Sequence, residues 1–299
     1  MSTLPCFSLP ESYQNVFAHR CRRQADYARS GINLAMAPLV GAIMGNMGTE
    51  AGLNLYGKRA LVTGGAVRIG RCICEALAAR GCTVIVHYDH SAAEAQALVA
   101  QLAASGGKAF GVQARLVDEQ GAEALLEAAV GQAGGLDILV NNASVFNKDA
   151  FMAADAARLH AELSINAFVP MYLTRALARH CLQTDRAGGV VNLLDRRIAG
   201  LEKGMLPYLL SKKLLHEYTR IAALELGPRI RVNAVAPGPI LPPPGRGSAY
   251  LHDHAGAIVL EACPTPADVA AAVVYLLEAE SVTGQVLFVD SGQHLLAQG

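Results

Sequence analysis

The feature that most constrains this chain is a rhythm that begins near residue 58. Short apolar runs alternate with longer stretches that carry helical periodicity. The strands read as "RALVTG" (59–64), "TVIVHY" (83–88), "KAFGVQ" (108–113), "LDILVNNAS" (136–144), "GVVNLL" (189–194), "IRVNAVAPG" (230–238) and "GQVLFVD" (284–290). Between them helices are predicted from "RIGRCICEALAARG" (68–81), from "SAAEAQALVAQLAASGG" (91–107), and over 119–133, 155–183, 206–226 and 266–279. Strands this uniformly apolar belong to a parallel sheet covered on both faces. A strand–helix–strand succession supplies that cover through right-handed crossovers. The predicted fold is α/β, a single doubly wound Rossmann-like domain with a seven-stranded parallel sheet, spanning 53–299.

Composition agrees where the argument needs it. Hydrophobic residues make up 52% of the 299 and aromatics only 5%, with no Trp, so small aliphatic side chains fill the core. The 25 basic residues balance 25 acidic ones, which argues against a nucleic-acid partner. Seven cysteines show no ligand-like clustering, and Cys72 and Cys74 face different sides of a helix, so small buried hydrophobes in a reducing compartment are expected and no metal. Residues 1–52 lack the rhythm. They are read as an N-terminal extension, disordered or loosely docked, or as the product of too early a start, with Met47 the natural beginning. An Arg-rich organelle-targeting segment is the alternative. The uncharged run at 31–48 is too diluted by Asn33, Pro38, Asn46 and glycines to suggest a stable membrane span. The expected location is cytoplasmic.

In such a fold the site lies at the carboxyl ends of the strands. "TGGAVRIG" (63–70) joins the first strand to the first helix there. Gly64 permits a tight turn, Gly70 lets the helix approach the sheet, and the helix N-terminus offers N–H groups to a pyrophosphate. Arg68 stands inside this turn, either facing solvent or reaching over a phosphate or a substrate ring. After the fifth strand, Asp195 precedes Tyr208 by thirteen residues, and Lys212 follows one helical turn later on the same face. The acid could instead pair with Arg196, Arg197 or another base.

Together "TG…IG", "NNAS" (141–144), Asn166, "YLLSK" (208–212) and "RVNAVAPG" (231–238) resemble the short-chain dehydrogenase/reductase superfamily across nearly all of 57–297. The Arg in the glycine turn, "HYDHSAAEA" (87–95), "NNASVF" (141–146) and the acid ahead of the tyrosine are similar to pteridine reductases and dihydromonapterin reductases. The resemblance implies Asp195, Tyr208, Lys212 and Asn166 as the catalytic set. Asp195 takes the place of a serine that usually binds a carbonyl oxygen. A carboxylate would repel an alkoxide, so Asp195 fits a C=N substrate whose nitrogen gains a proton. Lys212 is expected to lower the phenol's pKa and hold the nicotinamide ribose, and Asn166 to support a proton path to the lysine. Phe146 would stack a pterin, with Arg68, Ser144, Asp195 and Tyr208 beside it; its other reading is a core aromatic.

The cofactor would meet Gly64, Arg68, Ile69, Gly70, Asn142, Ala143, Ser144, Lys212, Pro237 and Gly238. His87, His90 and Ser91 would cradle the phosphate that distinguishes NADPH, with NADH left open because of Asp89. The loop 236–257 is expected to be a short, stiff lid. Its His252, Asp253 and His254 are neighbours that point apart, not a metal site. The resemblance also implies a homotetramer with the helix near Leu206 at one interface. Three functions compete: a reductase of pteridines or dihydrofolate-like compounds, a carbonyl reductase of 3-oxoacyl or small ketone substrates, and a cofactor-binding regulatory protein without turnover.

Overall fold

Every strand pairs in parallel, in the order β3-β2-β1-β4-β5-β6-β7. In this computed structural model the strands are β1 Arg59–Val62, β2 Thr83–Tyr88, β3 Lys108–Gln113, β4 Ile138–Asn141, β5 Gly188–Leu193, β6 Ile230–Pro237 and β7 Val286–Val289. The structure describes residues 55–297 apart from 244 and 248. The expectations for residues 1–52 and for the side chains of His252 and His254 lie outside the described residues. The helices are α1 Arg68–Ala79, α2 Ala92–Ala104, α3 Glu119–Ala133, α4 Ala156–Leu163, α5 Val169–Gln183, α6 Leu206–Leu226, α7 Ala249–His254 and α8 Pro266–Glu278.

Side chains alternate across the sheet with a period of two. Ala60 and Val62 of β1, Val84 and Val86 of β2, and Ile138 and Val140 of β4 join one core, beneath α1, α2 and α8. Leu61, Ile85 and Leu139 point the other way, into a core shared with α3 and α5. Both faces are therefore dry, and apolar residues at consecutive positions are what such strands require. Local signals set the helix starts: Asp118 caps α3 through the Gly121 N–H (2.8 Å), and Thr265 and Asp268 form a capping box on α8.

Two elements depart from the sequence expectation. The single helix predicted over 155–183 is broken by a π turn at Ser164–Phe168, which separates α4 from α5. The 236–257 segment contains a short helix, α7, and is not extended throughout. Among the described residues no helix is long and apolar enough to cross a membrane.

Candidate active site

The strand order reverses direction between β1 and β4, and the crevice at that switch point opens at the carboxyl ends. Thr63 stitches its two sides together. Its Oγ1 accepts the N–H groups of both Asn142 and Ala143 at 2.9 Å. Asn142 returns the bond, its Nδ2 donating to the Thr63 and Gly64 carbonyls at 2.8 and 3.0 Å. Sequence reading passed over Thr63 because a strand-end threonine carries no signal of its own.

The glycine turn is close-packed. A Cβ on Gly70 would lie 2.2 Å from the Gly64 carbonyl oxygen, so only glycine lets α1 begin there. Gly64 itself sits at φ +60°. The first turn of α1 holds no acid, and Val67 at its N-cap contributes no side-chain bond. Its N–H groups thus form an uncapped cradle for an anion. Arg68 adopts φ +56° and donates from Nη2 to the Pro242 carbonyl at 3.1 Å, linking the turn to the loop after β6.

His87 has a different job from the one expected. It is 3% exposed, its Nδ1 accepts the Gly64 N–H (3.0 Å), and its Nε2 donates to the Ala114 carbonyl (3.1 Å). Both ring nitrogens are spent on holding the turn, so the ring is no phosphate ligand. Burial pulls its pKa below the usual histidine value, which preserves the neutral tautomer those bonds need. His90 and Ser91 lie at the end of β2, outside the cleft lining; His90 is exposed, with Nε2 3.3 Å from Asp89.

A cleft of about 280 Å³ gathers most of the other expected residues. Arg68, Ile69, Asn142 and Ser144 line it on the turn side, with Pro237 and Gly238 across from them. Phe146, Asp195, Tyr208 and Lys212 form its inner wall. Phe146 is 46% exposed, which excludes a core role, and its ring meets the Tyr208 ring edge-on at 4.6 Å and 77°. Asn166 sits behind, on the π turn. Its Oδ1 accepts from the Ser144 hydroxyl and the Val145 N–H, both at 2.9 Å. Its Nδ2 donates to the Val145 carbonyl and to Ser211 Oγ at 2.9 and 3.1 Å. The amide is fully used in fixing the loop after β4 against α6.

Asp195 does two things at once. It accepts the Tyr208 hydroxyl at 2.8 Å and it pairs with Arg197, through the Arg197 N–H at 2.9 Å and Nη1 at 3.0 Å. Arg197 in turn binds Glu202 at 2.7 Å and stands 5.9 Å from the Phe146 ring centroid. Tyr208 departs from expectation. Burial, and then the adjacent Asp195 charge, hold its pKa well above the usual phenol value. Lys212 stands beside the phenol, its Nζ donating to the Leu193 carbonyl at 2.8 Å and lying 5.8 Å from the phenol ring centroid. The lysine's own pKa is pulled down to about 8 by burial.

A family model described as Enoyl-(Acyl carrier protein) reductase matches residues 65–294. The chain belongs to the short-chain dehydrogenase/reductase superfamily, a family of oxidoreductases. It is similar to the FolM alternative dihydrofolate reductase 1 of Brucella canis, a structure complexed with NADP. That likeness has 36% identity and a TM-score of 0.77 over 81% of this chain and 96% of the other. It is 33% identical over 277 residues to pteridine reductase 1 of Leishmania tarentolae, covering 79% of this chain and 96% of that one. It is also 31% identical over 246 residues to the 3-oxoacyl-[acyl-carrier-protein] reductase FabG of Staphylococcus aureus strain N315, covering 80% and 98%. Relatives named for a dihydrofolate or pteridine substrate and relatives named for a 3-oxoacyl substrate are thus both similar to this chain.

Proposed function

We propose that this chain is an NADPH-dependent reductase of a C=N bond in a pteridine or dihydrofolate-like ring. The observation that carries the reading is Asp195, an acid where a carbonyl reductase needs a neutral donor, bonded at 2.8 Å to the Tyr208 hydroxyl. A developing alkoxide would face a carboxylate there, whereas a ring nitrogen gaining a proton would not be repelled. The half-exposed Phe146 ring supplies a flat wall for a planar substrate.

The residues present fit the cofactor. The uncapped first turn of α1 offers its N–H groups to a pyrophosphate, and Gly70, where a Cβ would strike the Gly64 carbonyl, lets the glycine turn pack close against that helix start. When bound, the nicotinamide supplies the hydride. Tyr208 would give its proton to the ring nitrogen, so that C=N becomes CH–NH, and a solvent proton taken up by the Asp195 carboxylate at the open cleft would then pass to the phenolate, leaving Asp195 ionised again. Lys212 holds the ribose hydroxyls. NADP in the related Brucella structures supports NADPH as the cofactor. A homotetramer with α6 at an interface accounts for exposed Leu210, Leu214, Ile221 and Leu224 on that helix, and a soluble cytoplasmic enzyme is the matching location.

The FabG relatives keep a second reading in play, reduction of a 3-oxoacyl carbonyl. Following NADPH oxidation with dihydrobiopterin, with an acetoacetyl thioester and with neither separates them. Turnover of the thioester alone would defeat the pteridine reading. Silence on both substrates with tight NADPH binding would point to the regulatory alternative.

A further inference from the structure

Phe146 stands on the loop after β4, half-exposed and outside the buried apolar clusters. A ring in that position keeps its direction only if the backbone beneath it is fixed, because a loose loop would have to be ordered each time a substrate docked. The torsions of one residue are set by the two rigid peptide planes that flank its Cα. At Phe146 both planes are held by side chains from α4 and the π turn that follows it. The plane before Phe146 carries the Val145 carbonyl, which accepts from Asn166 Nδ2 at 2.9 Å. The plane after it carries the Asn147 N–H, which donates to Glu162 Oε1 at 2.6 Å. Asn166 and Glu162 are each 1% exposed.

Glu162 is a destabilising way to make one bond. Its Oε2 is buried with no hydrogen-bond partner among the described residues, so half of a carboxylate has left water without a replacement. Asn147 lies at the surface, where solvent can take over its N–H once the acid is gone. Stability alone would favour an apolar side chain at 162. A carboxylate does, however, make a shorter and stronger bond to an N–H than a neutral acceptor does. A buried acid kept in spite of its desolvation marks a place where position outweighs stability.

We propose that Glu162 is a positioning residue for the substrate: by holding the peptide plane after Phe146 it aims the ring that forms the flat wall of the cleft. The inference rests on the wall assigned to Phe146 above, so the first of its two tests needs neither substrate nor cofactor.

The first test labels the full chain with fluorinated phenylalanine and assigns the Phe146 resonance, one of seven, by its loss in Phe146→Leu. In Glu162→Leu that resonance is expected to move toward the shift of the free amino acid, as the edge contact with the Tyr208 ring at 4.6 Å is lost. Glu162→Gln keeps the Oε1 acceptor and should leave the resonance in place. A resonance that stays put in Glu162→Leu, or that moves as far in Glu162→Gln, overturns the proposal. Should Glu162→Leu not fold, the same spectrum is read in Glu162→Ala, and failure of both to fold makes the acid a requirement of the fold and overturns the proposal.

The second test is kinetic. With dihydrobiopterin, Glu162→Leu is expected to raise KM about three- to tenfold, the worth of an aromatic stacking contact, with kcat within about twofold. NADPH affinity should stay within about twofold of wild type. In the Phe146→Ala background the same substitution should add nothing. A fall in kcat with KM unchanged, or an equal further loss once the ring is absent, would make Glu162 a general support of the loop and refute its aim on Phe146. Should every pteridine prove inert, the fluorine spectrum still reads the positioning, so the two ideas fail separately.

Discussion

Replacing Asp195 by Asn removes one charge from the cleft while keeping its shape, and the structure fixes how much Tyr208 should respond. The Asp195 carboxylate lies 2.8 Å from the phenol oxygen. At an effective dielectric of ~20, two unit charges at that distance repel by roughly 6 kcal/mol. The charge is spread over two oxygens, and Asp195 is 13% exposed to water at the open cleft, so about half of that is a reasonable working figure. About 3 kcal/mol corresponds to ~2 pH units. Asp195→Asn should therefore lower the Tyr208 ionisation by about 2 units, aided by Arg197, whose cation then stands without this partner. Tyrosinate absorbance near ~295 nm, followed against pH and referenced to Tyr208→Phe to isolate this phenol, measures the shift. The same substitution should cut pterin reduction at least about tenfold, because the relay acid is gone. A Tyr208 transition that stays put or moves upward would refute the reasoning, and unchanged turnover would reduce the acid to an ion-pair partner of Arg197.

Two further outcomes are expected. Tyr208→Phe should abolish turnover and leave NADPH affinity within about twofold in a fluorescence titration, since the lost hydroxyl bonds only to Asp195 among the described residues. At the opposite end of the sheet, burial opposes ionisation of Asp137, but the Arg59 hydrogen bonds and the Arg59 and Arg186 charges win and hold its pKa below 3.8. A depressed carboxylate contributes stability above its unfolded pKa, so Asp137→Asn should cost about 3 kcal/mol at pH 7. That difference should shrink as pH falls below 3.8 through the folded value, as urea unfolding at pH 7, 5 and 3 would show.

Much of this was legible in the chain because its signals are local. Apolar runs two faces deep name a buried parallel sheet, and Gly64 and Gly70 name the turn that a side chain would block. The thirteen-residue step from Asp195 to Tyr208, and the turn from Tyr208 to Lys212, depend on one strand and one helix. What escaped depends on contacts between distant segments. His87 resembles a phosphate ligand until Gly64 and Ala114 are seen on its two nitrogens. Glu162 is a helix-face acid until the Asn147 N–H, fifteen residues upstream, is seen on its buried carboxylate. The choice of Arg197 over Arg196 as the partner of Asp195 was set by the short helical turn at Arg196–Ala199, which no periodicity reveals.

The π turn at Ser164–Phe168 lets one rod satisfy two customers. Upstream of it, buried Glu162 takes the Asn147 N–H; downstream, Leu173, Leu177 and Cys181 lie against the sheet. Deleting a single residue there would give a more regular coil, yet swing everything beyond it by about 100°. Smoothing this stretch would thus trade a local gain for either a misaimed amide at Asn166 or a lost apolar seam, and the irregularity is the cheaper solution.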